Sequence, residues 1–90
     1  MGGWRILEFN SMADLIKSIQ YKDVCYTFLF REIDTPNSKK YFVIVFDEWH
    51  QKVVFEMKEN VYGDWKIVPP IPEWVFPLEN YLSLFLKESV

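Results

Sequence analysis

Residues 41–46 read YFVIVF, with no polar side chain at alternate positions. Residues 24–30 read VCYTFLF, where only Thr27 and the tyrosine hydroxyl interrupt the apolar pattern. A strand that shows one face to water has a polar residue at every second position. Both segments therefore predict central strands of a sheet, with apolar side chains directed at both faces.

Turn-forming residues and the alternation of apolar and polar side chains predict further strands of this sheet. The pattern predicts four consecutive strands, at residues 24–33, 39–48, 52–59 and 65–68. Because their connections are short, neighbouring strands are expected to run antiparallel. Residues 52–58 alternate between apolar and charged side chains except at Val54, so this strand is expected to show one polar face to water.

Helix signals lie near both ends of the chain. Met12, Leu15, Ile16 and Ile19 repeat at i, i+3, i+4 and i+7, which predicts a helix that begins near Ser11 and runs to about residue 20. A short strand is expected before it, at residues 4–9. A proline-rich stretch, residues 69–77, is expected to lie extended across the surface and to lead into a second helix at residues 78–87.

The predicted fold is a single α+β domain over residues 1–90, with the order β-α-β-β-β-β-α. It has a four- to five-stranded, mostly antiparallel sheet with two helices packed on it. If both helices lie on one face, the other face is an apolar patch that needs a second subunit or a partner protein. If the proline-rich stretch and the second helix wrap that face, the monomer is self-sufficient. The first arrangement is favoured.

Composition narrows the classes of partner. The formal net charge is -3, and no block of Lys or Arg extends beyond Lys39-Lys40. Nucleic-acid binding needs several cations on one face, so no nucleic-acid partner is expected. No apolar run approaches the ~20 residues of a membrane span, so no membrane partner is expected either. With Cys25 as the one cysteine, a disulfide framework is excluded and a cytoplasmic location is expected.

Catalytic motifs are absent from the sequence. There is no Gly-rich phosphate loop, no G-x-S-x-G, no H-E-x-x-H and no C-x-x-C. No catalytic residue, metal ligand or cofactor is therefore assigned, and an enzyme is disfavoured. The stretch Asp47-Glu48-Trp49-His50 is interpreted as a solvated strand end. Cys25 is interpreted as a small core side chain rather than a nucleophile paired with His50.

Aromatic residues supply the candidate binding surface. Tryptophan and tyrosine are enriched at interfaces because they bury a large area with few rotatable bonds. Five residues in the predicted turns, at the start of the last strand and in the proline-rich stretch are the candidate partner-binding residues: Trp49, Tyr62, Trp65, Trp74 and Phe76. The competing interpretation is that the same rings cap the ends of a small core.

The predicted function is a non-enzymatic protein-interaction module, acting as a homodimer or as a small acidic partner of the inhibitor type. Aromatic content of 19%, the acidic balance and the missing motifs support it. The alternative is a small-ligand-binding domain, or a small enzyme, with a pocket between sheet and helices. Tyr26, Tyr41, Tyr81 and Glu48 are the polar groups available to such a pocket.

Overall fold

The computed structural model describes residues 14–36 and 38–89 of the chain. Five strands form one antiparallel sheet in which spatial order follows chain order: β1 (Leu15–Tyr21), β2 (Val24–Thr35), β3 (Ser38–Phe46), β4 (Lys52–Glu59) and β5 (Trp65–Val68). A 3-10 helix, Glu73–Leu78, and an α-helix, α1 (Glu79–Ser89), follow the sheet. The α+β class, the antiparallel sheet and the C-terminal helix predicted from sequence are confirmed.

The predicted N-terminal helix is wrong, because Leu15–Tyr21 forms strand β1. Lys22 and Asp23 both have positive φ, 50° and 63°, which is the conformation of a two-residue hairpin turn that matches strand twist. The turn sets Tyr21 opposite Val24 and lets all of β1 pair with β2. This pairing outweighs a helical apolar spacing, which is a weak local preference. The strand predicted at residues 4–9 lies outside the described residues.

One face of the sheet forms the core. Its inward side chains belong to alternate strand residues, and the helices add four more, so that the core consists of Tyr26, Phe28, Phe30, Tyr41, Val43, Val45, Phe55, Met57, Trp65, Ile67, Val75, Leu78, Leu82 and Leu86. Tyr41 lies at its centre and contacts Trp65 edge-on, with 5.2 Å between ring centroids. Burying each large apolar side chain contributes roughly 1.5–3 kcal/mol, so this layer supplies most of the driving force for folding.

The prediction that the proline-rich stretch is extended over residues 69–77 is wrong for its second half, because Glu73–Leu78 forms a 3-10 helix. This short helix turns Val75 and Leu78 inward, where neither side chain is exposed to solvent. Ile71 and Trp74 pack against the same core and are partly buried. The stretch therefore closes one end of the core and leads directly into α1.

Helix α1 also protects the β5 edge of the sheet. The Trp65 backbone N–H donates to the Ser83 hydroxyl at 3.0 Å, and the Ile67 N–H donates to the Glu79 carboxylate at 2.8 Å. An ion pair between Lys87 and Asp64 fastens the last turn of the helix. Unpaired edge donors invite pairing with other chains, and these side chains satisfy two of them. The orientation of α1 is thus set by polar contacts as well as by its apolar face.

The β3–β4 and β4–β5 loops share one construction. The side-chain oxygen of Asp47 accepts from the backbone N–H groups two and four residues later, and that of Asn60 does the same in the second loop. The fourth residue of each loop has positive φ, 63° at His50 and 82° at Gly63. These side chains tie the loop backbone down, so the residues between them have fixed positions.

Replacing Ser83 with Ala tests the edge contact. The substitution leaves the buried Trp65 N–H without an acceptor, and we expect it to lower the free energy of unfolding by about 1–2 kcal/mol. Urea unfolding monitored by circular dichroism measures the change. The matched control is Ser89→Ala, which removes an exposed hydroxyl that donates to the Phe85 carbonyl. Equal stability of the two variants would contradict the role given to Ser83.

Candidate interaction surfaces

The five aromatic residues singled out from sequence do not form one surface. Trp65 is 1% exposed and lies in the core. Trp49 and Tyr62 are the third residues of the two equivalent loops, 73% and 83% exposed, at opposite ends of β4. Phe76 is half exposed on the 3-10 helix, and Trp74 packs partly against the core. Trp49 and Trp74 are the two that the fold brings together.

The sheet face opposite the core is here named the open face, because no helix of the described chain packs on it. Ile16, Leu29, Ile44 and Val54 are register neighbours across β1, β2, β3 and β4, and we name them the apolar row. Ile16 is 45% exposed and Val54 48% exposed, whereas Leu29 between its neighbours is buried. The apolar pattern of the central strands thus reaches both faces of the sheet, as predicted from residues 24–30 and 41–46.

Two phenylalanines widen the apolar row along β3. Phe42 and Phe46 lie on the same face as Ile44, two residues before and two after it, and are 40% and 46% exposed. Isolated exposed apolar residues are ordinary, but contiguous apolar patches of more than a few hundred Å² mark contact surfaces. The centre of the open face is therefore apolar and partly exposed.

One end of the open face is basic. Four cations lie there, one on each of β2, β3, β4 and β5: Arg31, Lys40, Lys58 and Lys66. Lys58 lies between Lys40 and Lys66 in the register, an arrangement of like charges that destabilises a sheet. Lys40 is 3.5 Å from Glu56 and Lys66 is 3.8 Å from Glu79, whereas Lys58 has no ion pair in the described chain. The strand register therefore brings these residues together into a basic stripe, although they do not form a block of Lys and Arg in the sequence.

The other end of the open face is acidic. A cleft of about 480 Å³ lies there between the β1–β2 turn and the β3–β4 loop, and its carboxylates are those of Asp23, Asp47 and Glu48. Lys52, opposite Phe46 in the register, is the nearby strand cation. The open face is consequently dipolar, with an apolar centre between a basic end and an acidic end.

Cys25 is exposed, so its interpretation as a core side chain is wrong. It precedes Tyr26, which points into the core, and alternation therefore turns its thiol to the open face. Cys25 and His50 line the same acidic cleft, but no hydrogen bond joins them within the described residues.

Neither a metal site nor a membrane-spanning helix is seen in the part of the chain that the structure describes. No group of three or more His, Cys, Asp or Glu side chains there is arranged to hold a metal ion. The carboxylate of Asp47, in the densest cluster, is engaged by two loop N–H groups. Nor does any helix among residues 14–36 and 38–89 have the length and apolar character to cross a bilayer.

A second concavity, here named the aromatic groove, lies between the end of the sheet and the 3-10 helix. Its volume is about 520 Å³. Four aromatic residues line it: Tyr21, Tyr26, Trp49 and Trp74. Tyr26 and Trp74 stack with ring centroids 4.5 Å apart and an interplanar angle of 23°, which fixes one wall. Trp49 reaches it from the β3–β4 loop.

Charged residues surround the aromatic groove. Asp47, Glu48 and Glu73 contribute three carboxylates, and Lys22 contributes one ammonium group. The pKa of Tyr26 is raised, first by burial of its hydroxyl and then by the negative charges of Glu48 and Asp47. Burial is the larger cause, and the two carboxylates add to it in the same direction.

The aromatic groove contains half of the polar set predicted for a ligand pocket. Tyr26 and Glu48 line it, but Tyr41 is only 2% exposed in the core and Tyr81 is exposed on α1. Sequence analysis did not single out Tyr21 or Glu73. Tyr21 and Glu73 reach the groove only because of the hairpin turn and the 3-10 helix, and the sequence contains no strong local signal for either element.

Comparison of the chain with protein-family models, with curated proteins and with solved structures yields no match.

Replacing Glu48 with Gln tests the electrostatics of the aromatic groove. Loss of a nearby negative charge makes ionisation of Tyr26 easier, so its pKa should fall toward the ordinary value of 10.0. NMR titration of tyrosines labelled with ¹³C at Cζ measures each hydroxyl separately. Tyr41 is the internal control, because its raised pKa has burial, Glu32 and Asp14 as its main causes. A Tyr26 pKa that does not move would contradict the placement of Glu48.

Proposed function

We propose that the protein is a non-enzymatic protein-interaction module that acts as a homodimer, with the open face as its contact surface. The observation that carries this proposal is the apolar row with Phe42 and Phe46, which lies uncovered within the described chain between two ends of opposite charge. The apolar centre supplies affinity, and the charged ends supply orientation.

The apolar centre gives the driving force for association. Ile16, Phe42, Phe46 and Val54 each have 40–48% of their surface exposed. Removing apolar surface from water contributes about 25 cal/mol per Å², and these side chains lie close enough together to be buried at once. Strands β1 to β4 are spaced about 4.8 Å apart and overlap over roughly seven residues, which makes an area of about 19 by 23 Å, and the short strand β5 extends it at one edge. This flat area is roughly half of the ~800 Å² per subunit that a standard interface buries, and side-chain relief adds to it.

Charge complementarity selects a second copy as the occupant. A twofold axis between two open faces, perpendicular to the strands and passing near Ile44, reverses the strand direction in the second copy. The basic end of each subunit then lies over the acidic end of the other, and Lys58 comes close to Glu48 of the second copy. Each surface contacts its own equivalent, as a twofold contact requires. Action as an acidic inhibitor-type protein through this face is disfavoured, because a basic partner would be repelled by the basic end of the face.

Val54→Asp is expected to abolish dimerisation. The substitution places a carboxylate in the apolar row, where its desolvation opposes burial. Multi-angle light scattering at tens of micromolar should give a dimer for the unmodified chain and a monomer of 10.9 kDa for the variant. Val61→Asp is the matched control, since Val61 is 93% exposed in the β4–β5 loop and lies off the open face.

If the unmodified chain is monomeric at these concentrations, the homodimer proposal is wrong. A folded dimer that persists in Val54→Asp, with circular dichroism unchanged, would place the contact elsewhere.

A charge exchange tests the orientation of the two copies. Lys58→Glu and Glu48→Lys each put like charges together across the proposed contact, and each should weaken association several-fold. The double variant restores opposite charges and should recover most of the affinity at low salt. Sedimentation velocity gives the dissociation constants. If the two substitutions are additive, with no recovery, Lys58 and Glu48 do not face each other.

A further inference from the structure

The aromatic groove has the features of a cation site on the core side of the sheet end. The faces of tyrosine and tryptophan rings carry negative potential and attract cations. Three carboxylates accompany these rings, those of Asp47, Glu48 and Glu73. Neither Glu48 nor Glu73 has an ion pair within the described chain, so their charges are available to a ligand.

The groove already holds one cation at its margin. The Lys22 ammonium lies 5.4 Å from the centroid of the Tyr21 ring, within the range of a cation–π contact. Lys22 is held there by the backbone of the hairpin turn, where its φ is 50°. Its single positive charge stands against three carboxylates in the lining, so the formal charge of the groove is negative. The stacked Tyr26–Trp74 wall and Trp49 have no cation assigned to them by any described contact.

The size of the groove suits a small organic group. A volume of about 520 Å³ lies within the usual range for ligand sites, about 300–1,000 Å³. An anion is repelled by the carboxylates. A neutral apolar ligand desolvates the carboxylates without forming a hydrogen bond or ion pair with them, which is unfavourable. A cation with aliphatic substituents meets both requirements, because its alkyl groups contact the rings and its charge balances the carboxylates.

We infer that the aromatic groove binds an organic cation, an alkylated ammonium or a guanidinium group, between Trp49, Trp74 and the carboxylates of Glu48 and Glu73. The group can belong to a Lys or Arg side chain of a partner protein or to a free amine. The groove lies on the core side of the sheet end, but it shares Asp47 and Glu48 with the acidic cleft of the open face. The titrations below are therefore made on the Val54→Asp variant as well as on the unmodified chain, so that a second copy near Glu48 does not mask binding.

Titration with tetramethylammonium chloride tests the inference on the full chain. The indole N–H signals of Trp49 and Trp74, followed by NMR, should shift and saturate, while that of buried Trp65 stays in place. Sodium chloride at equal ionic strength and tert-butanol, a neutral molecule of similar shape, are the reference titrations. Shifts that do not saturate, or that tert-butanol reproduces, overturn the inference.

Two substitutions with opposite expected effects sharpen the test. Glu73→Gln removes a carboxylate from the groove and should weaken tetramethylammonium binding roughly threefold or more, whereas Lys22→Gln removes the competing cation and should strengthen it by a similar factor. Glu88→Gln, which changes an exposed carboxylate of α1 outside the groove, should leave Kd unchanged. If all three variants bind alike, the groove is not the site.

The source of the cation is separated by a second ligand series. Short peptides carrying lysine, trimethyllysine or arginine are titrated beside the free amine and followed by the same two indole signals. A peptide that binds at least tenfold more tightly than tetramethylammonium identifies a basic segment of a partner protein. Equal affinities identify a free amine. Failure of every cation in the series to shift Trp49 and Trp74 overturns the inference, whatever the oligomeric state.

Discussion

Side-chain alternation along β3 is the constraint on which the rest of the structure depends. Tyr41, Val43 and Val45 enter the core, and the intervening Phe42, Ile44 and Phe46 point to the opposite face. A strand that is apolar on both sides needs cover on both sides. The 3-10 helix and α1 cover one face, and α1 is held at the β5 edge by Ser83 and Glu79. No helix of the described chain covers the other face, and the proposed homodimer would supply that cover.

Much of the fold follows from periodicity, because a central strand has a pattern that few other elements share. Residues 41–46 predicted a two-sided apolar strand, and their register in β3 confirms it. Strand β1 was missed because its identity depends on the turn at Lys22 and Asp23, two residues that seldom adopt positive φ. Leu15, Ile16 and Ile19 fit a helical stripe as well as a strand. The pairing with β2, which sequence spacing does not reveal, decides between the two.

The surfaces were harder to predict than the fold, because each one joins residues far apart in the chain. Lys40, Lys58 and Lys66 form a basic stripe only after the strand register is known, so a search for Lys or Arg blocks does not detect it. Exposure of Cys25 follows from the direction of one side chain in a strand that looks wholly buried. The sequence singles out Trp49 and Trp74 as candidate partner-binding residues, but the groove that they share depends on both the Asp47 loop and the 3-10 helix. Local patterns identified the aromatic residues and did not identify their neighbours.

The most direct measurement is an isotope-filtered NOE experiment on a mixture of labelled and unlabelled chains, which detects only contacts between different molecules. For a dimer formed through the open face, intermolecular contacts are expected at the methyl groups of Ile44 and Val54 and at the rings of Phe42 and Phe46. None is expected at Leu84, which is 56% exposed on α1. Intermolecular contacts confined to the α1 side, or their absence at concentrations where the open-face methyl groups are well resolved, would contradict the claim that a second copy covers this face.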